Sequence, residues 1–140
     1  EFHQSDIHFL ADLSTCPVIF QQKIRKVLDV RMTVVDDKAI AVGLRGVDTG
    51  GNQRLDIRRD NMNDVYYEVL EIPPTILSSV KKILSFYRLR FAALDFVIEN
   101  TGEWVFLEIN PNGQWAWLDL CANAEISNAF VEAITGEYFV

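Results

Sequence analysis

Ala92-Ala93-Leu94-Asp95-Phe96-Val97-Ile98-Glu99 and Trp104-Val105-Phe106-Leu107-Glu108-Ile109-Asn110, set around Asn100-Thr101-Gly102, read as the two strands of a hairpin. Its register can be tested by asking which pairing leaves one clean apolar face. A two-residue turn at Thr101-Gly102 sets Leu94 opposite Ile109, Phe96 opposite Leu107 and Ile98 opposite Val105, all apolar. A three-residue turn with a glycine bulge moves every pair by one residue and mixes the faces, so the first register is preferred. On the other face it sets Asp95 opposite Glu108, Ala93 opposite Asn110 and Val97 opposite Phe106. Facing carboxylates repel unless something neutralises them. A divalent cation would do so, since Asp, Glu and Asn supply the oxygen ligands that Mg²⁺ takes. A pair of solvated charges on an exposed sheet face is the plainer alternative.

Working outward, Pro73-Pro74 opens a helix over 75–88, with Ile76, Leu77, Val80, Ile83, Leu84 and Tyr87 in a single stripe. Pro74 suits the first turn, and Lys81, Lys82, Arg88 and Arg90 sit toward the end that favours cations. Upstream, Leu28 to Val35 alternates as a strand, Asp36-Asp37 is a turn, and Lys38 to Leu44 returns. Pro17 marks entry into extended structure, and Val18 to Ile24 reads as a short strand. Residues 7–15 are weakly patterned, 48–52 form a loop by composition, and 53–72 show no clear period. A last helix covers Glu125 to Thr135 and stops at Gly136. The expected fold class is α+β, an antiparallel sheet with the helix at 75–88 and the C-terminal helix packed on one face.

The chain has 140 residues, 13 Lys+Arg and 20 Asp+Glu, for a net charge of −7. That acidity argues against nonspecific nucleic-acid binding, which requires clustered positive charge. Apolar residues at 49% and charged residues at 24% suit one folded domain rather than a disordered chain. No apolar run reaches the ~18 residues a membrane span needs. Cys16 and Cys121 are far apart and lack ligand spacing, so neither a disulfide scaffold nor a zinc site is expected, and a cytoplasmic location is the simplest.

Leu94-Asp95-Phe96 followed by Phe106-Leu107-Glu108-Ile109-Asn110-Pro111-Asn112-Gly113-Gln114-Trp115 resembles the C-terminal half of the ATP-grasp ligases. It looks most like the branch that matures ribosomal peptides of the microviridin, or graspetide, type. Phe20-Gln21-Gln22-Lys23-Ile24 resembles the strand and hinge that hold adenine, with Gln22 where the family commonly has Glu. Asp29-Val30-Arg31 and Asp56-Ile57-Arg58 resemble two acidic-x-Arg steps of the same enzymes. The likeness runs over residues 17–135.

The resemblance implies ATP and Mg²⁺ as cofactors. Asp95, Glu108 and Asn110 would be the metal ligands, with Glu108 the shared one. Gln21, Gln22 and Ile24 would line the adenine hinge, and Asp29 would approach the ribose. Arg58 and Arg31 would neutralise the γ-phosphate or an acyl phosphate. The implied reaction is carboxylate activation followed by amide or ester formation, with a ribosomal precursor peptide as partner. A noncatalytic module that binds a peptide or a partner subunit is the alternative. The family grips nucleotide between two subdomains and touches its phosphates with a Lys from the N-terminal one. Residues 17–140 would then be the C-terminal subdomain, a partial site lacking its N-terminal half. Glu1-Phe2 is what an EcoRI site encodes, so residues 1–16 are expected to be a cloning scar and the end of an upstream region. Trp104, Trp115 and Trp117 are expected in packing roles, His3 and His8 at the surface, and Cys121 buried.

Overall fold

The computed structural model describes residues 3–15, 18–46, 65–123 and 125–136. A 3-10 helix, Gln4–Thr15, precedes a five-stranded antiparallel sheet: β1 (Lys26–Val35), β2 (Lys38–Gly46), β3 (Val65–Leu70), β4 (Phe91–Glu99) and β5 (Trp104–Asn110). The strand order is β3-β2-β1-β4-β5. Helix α1 (Pro74–Tyr87) joins β3 to β4, and α2 (Ala116–Ala122) and α3 (Ile126–Thr135) follow β5. The α+β class and the antiparallel sheet therefore stand as read.

The two faces of the sheet carry separate cores. Leu28, Val30, Met32 and Val34 of β1 join Ala92, Leu94 and Phe96 of β4 beneath Val80 and Leu84 of α1. On the other face, Val42 packs with Leu118 of α2 and Ile126 of α3. Alternate residues of β2 serve the two sides, Ala41 one and Val42 the other, and both are fully buried. The sequence reading placed its two helices on one face. The sheet in fact lies between α1 and the α2–α3 pair, because β2 also turns apolar residues to the second face, where Val42, with Ile40 beside it, meets Leu118 and Ile126.

Local chemistry accounts for the helix ends. Pro74 occupies the first helical position of α1, where its missing N–H leaves no gap. Arg88 adopts the left-handed conformation at φ 54°, its N–H satisfying the last turn, while the Leu89 N–H reaches the Leu84 carbonyl and its side chain packs on the core. Asp119 of α2 caps α3 from seven residues away, accepting from the N–H groups of Ile126 (2.7 Å) and Ser127 (2.8 Å). Gly136 ends α3 at φ 70°, as its position implied.

Three expectations are corrected. Residues 18–24 are not a strand; Val18, Ile19 and Phe20 are exposed. The unpatterned stretch 53–72 yields β3 from its end, an edge strand whose pattern is blurred because Tyr66 and Val69 face outward. Cys121 is exposed, since α2 turns Leu118 rather than the thiol inward. The loop at 48–52 lies outside the described residues.

Candidate functional site

Three neighbouring strands build the site. β1 pairs with β4 so that Arg31 is opposite Asp95, and β4 pairs with β5 so that Asp95 is opposite Glu108. Directly paired residues share a face, so Arg31, Asp95 and Glu108 form one row across the side of the sheet opposite α1. The next row along contains Thr33, Ala93 and Asn110. Asp95, Glu108 and Asn110 thus share one side, as the hairpin register required.

The register is reached in an unexpected way. At the turn end Phe96 pairs with Phe106, Val97 with Val105 and Ile98 with Trp104. There the turn spans Asn100-Thr101-Gly102, with Gly102 at φ 85° and its N–H donated to the Glu99 carbonyl. This is the three-residue turn that the sequence reading set aside. A bulge between Asp95 and Phe96 then leaves Leu107 without a partner and restores the opposition of Asp95 and Glu108. Phe106, not Leu107, lies on the ring of Phe96, at 5.5 Å between centroids.

Electrostatics tie the row together. Arg31 Nε lies 3.0 Å from Asp95 Oδ1, with the two side chains 21% and 24% exposed. Lys26 Nζ holds both carboxylate oxygens of Asp29 at 2.5 Å. A second bulge, between Lys26 and Leu28, permits this i,i+3 contact within a strand. Glu108 and Asn110 are exposed. Asn110 Oδ1 accepts the Asn112 N–H at 2.9 Å, and the Asn110 carbonyl accepts the Gly113 N–H at 3.2 Å. The Asn-Pro-Asn-Gly turn therefore holds the amide oxygen in place and leads the chain back over the sheet.

The donor set fits Mg²⁺. Two carboxylates and an amide are hard oxygen ligands, and Mg²⁺ commonly takes one or two carboxylates while keeping waters and substrate oxygens. Among the described residues no cluster of three or more His, Cys, Asp or Glu could by itself hold a metal.

Of the other expected site residues, Gln21 and Gln22 are exposed and Ile24 is half-buried on the segment leading into β1. Asp29 is on β1 two residues from Arg31. Arg58 and Asp56 lie outside the described residues. The tryptophans pack: Trp115 stacks on Phe130 at 4.5 Å, Trp117 meets the edge of Tyr67, and Trp104 meets Phe96. His3 and His8 are exposed. Tyr67 was not singled out in the sequence; burial, and then Cys121 beside it, push its hydroxyl above the usual tyrosine range. Lys26 was also missed, because its contact depends on the bulge.

No family model and no curated protein matches the chain. Solved structures do. The macrocyclase MdnC of Microcystis aeruginosa, bound with precursor peptide MdnA, superposes with a TM-score of 0.76 at 26% identity over 96% of this chain and 42% of its own. The RiPP-associated ATP-grasp ligase of Chryseobacterium gregarium, in complex with ADP and a leader and core peptide, gives 0.78 at 28% identity over 94% and 40%. The fold is that of the ATP-grasp ligases. PsnB, complexed with a precursor variant, Mg and ADP, has the same fold at 22% identity and a TM-score of 0.76, covered over 41% of its length. The ATP-grasp likeness first seen in the motif run is thus met by structure, and these neighbours are a macrocyclase and ATP-grasp ligases bound to precursor peptides. The chain spans about two fifths of the length of these enzymes. Among the described residues no helix is long and apolar enough to cross a membrane.

Proposed function

We propose that the chain is part of an ATP- and Mg²⁺-dependent carboxylate ligase acting on a ribosomal precursor peptide, with an N-terminal half completing the nucleotide site. A carboxylate oxygen of the peptide attacks the γ-phosphorus and ADP leaves. An amine or hydroxyl then attacks the acyl phosphate, loses its proton and expels inorganic phosphate, giving an amide or ester. The observation that carries this reading is the opposition of Asp95 and Glu108 across β4 and β5, with Asn110 on the same side. Asp95, Glu108 and Asn110 would hold Mg²⁺, which would offset the negative charge of the phosphates. Arg58 and Arg31 would supply charge that cannot be lost by deprotonation. Gln21, Gln22 and Ile24 would line the adenine, and Asp29, steadied by Lys26, would approach the ribose. The neighbours complexed with ADP, Mg or AMPPNP and with precursor peptides support this assignment.

Calorimetric titration of ATP into a version extended through the N-terminal half tests it. Binding should require Mg²⁺ and fall at least about tenfold in Glu108→Ala, equivalent to roughly 1.4 kcal/mol. Binding unchanged by Glu108→Ala would instead favour a noncatalytic peptide-binding module.

A further inference from the structure

Facing carboxylates on adjacent strands need a positive charge near them. In this structure Arg31 supplies one from the third strand of the same row, with Nε 3.0 Å from Asp95 Oδ1. Its backbone is fixed on both sides, by Asp95 in β4 and by Val42 in β2, so the guanidinium stays within reach of that row. Both side chains are roughly three-quarters buried, which screens their attraction less than at an open surface. A guanidinium keeps its charge at any working pH. A divalent cation entering between Asp95 and Glu108 would therefore meet a like charge already bonded to one of its ligands.

We propose that, before nucleotide arrives, Arg31 serves as counter-ion to the Asp95–Glu108 pair and competes with the divalent cation for Asp95. The proposal rests on the reading of Asp95 and Glu108 as metal ligands. Its consequence is an order of events. A cation arriving alone must displace Arg31 and leave a desolvated guanidinium without its partner. A cation arriving with a polyanion does not, because phosphate oxygens accept the donors that Asp95 gives up. Cation and nucleotide then strengthen each other's binding, as reciprocal coupling demands.

The test uses the full chain and Mn²⁺ without nucleotide, with bound metal counted from loss of the free-ion electron paramagnetic resonance signal. Arg31→Gln is expected to bind Mn²⁺ about tenfold more tightly than wild type, the size of a 1.4 kcal/mol change, and Arg31→Lys to fall between them. A purely structural role for Arg31 would lower stability and leave Mn²⁺ affinity alone. Arg31→Gln binding Mn²⁺ no more tightly than wild type, including no binding by either, overturns the proposal. Should Arg31→Gln fail to fold, the Arg31 Nε–H resonance of the wild-type chain, assigned by its loss in Arg31→Lys, decides the matter. It should shift on Mg²⁺ addition, and an unmoved signal counts against the idea. Glu108→Gln separates the two levels. If it leaves Mn²⁺ binding intact, the metal reading itself fails and the proposal falls with it. If it abolishes binding while Arg31→Gln brings no gain, only the role of Arg31 is lost.

Discussion

A methyl group added at Gly113 would overlap the Cβ of Ala93, with the Asn110 carbonyl and the Ala93 Cα already at contact distance. Gly113 is buried in the turn that carries Asn110, so the chain crosses β4 with backbone against side chain and no room to spare. Gly113→Ala should therefore lift the 111–115 turn from the sheet. The expected cost is about 1–3 kcal/mol in urea denaturation, the usual range for overpacking, with Mg²⁺-dependent nucleotide binding weakened in parallel. A second residue pair makes a prediction about acid. Arg90 donates from Nε and Nη2 to the Asp36 carboxylate, both at 2.7 Å, and Nη2 also reaches the Ala133 carbonyl. The Arg90 hydrogen bond holds the Asp36 carboxyl below its usual value, and the Arg90 charge adds to this. A lowered folded-state value means that the contribution to stability is present above the unfolded-state value and is lost as pH falls through the folded one. Carboxyl NMR titration should show the Asp36 midpoint rising to the ordinary range in Arg90→Gln, and the stability difference between the two proteins should vanish in acid.

At the scale of elements, the hairpin β4–β5 shows how far sequence can be read. Alternation alone put Leu107 against Phe96 in the core, whereas the bulge leaves it unpaired and 49% exposed. Leu107→Gln should accordingly change stability by no more than about 0.5 kcal/mol, as for an ordinary surface substitution. A loss near 2 kcal/mol in urea denaturation would restore the bulge-free register. The carboxylate opposition was legible only because two departures cancel: a turn one residue longer than expected, and one extra residue in β5. Sequence patterns reveal strands with strong alternation, such as β1 and β4, and helices with a stripe and a stop, such as α1 and α3. They do not reveal that β1 lies beside β4, so the approach of Arg31 to Asp95 was invisible although both residues had been singled out. Edge strand β3 and the seven-residue α2 escaped for a related reason. Each buries too few residues to impose a period; α2 fully buries only Leu118.

The whole molecule divides its tasks between the faces of one sheet. The α1 side is closed and apolar, with Met32 and Leu94 fully buried and Val80 at 1% exposure. The opposite side packs Val42 against α2 and α3, and it is charged along the row from Arg31 to Glu108. Stability and ligand binding should separate accordingly. Val80→Ala removes two methyl groups from a filled core and should cost about 1–3 kcal/mol through lost burial and the cavity left behind. The fully folded variant should bind cation as the wild type does, because α1 lies across the sheet from the proposed ligands. Glu108→Gln should do the reverse: it removes one of two facing charges at an exposed position, so stability should move by no more than about 0.5 kcal/mol while cation binding is lost. Urea denaturation and Mn²⁺ binding, measured side by side on the two variants, check this. If Glu108→Gln unfolded the chain, the acidic pair would be a structural element of the sheet, and if Val80→Ala weakened the cation site in the folded protein, the two faces would be coupled through β1 and β4.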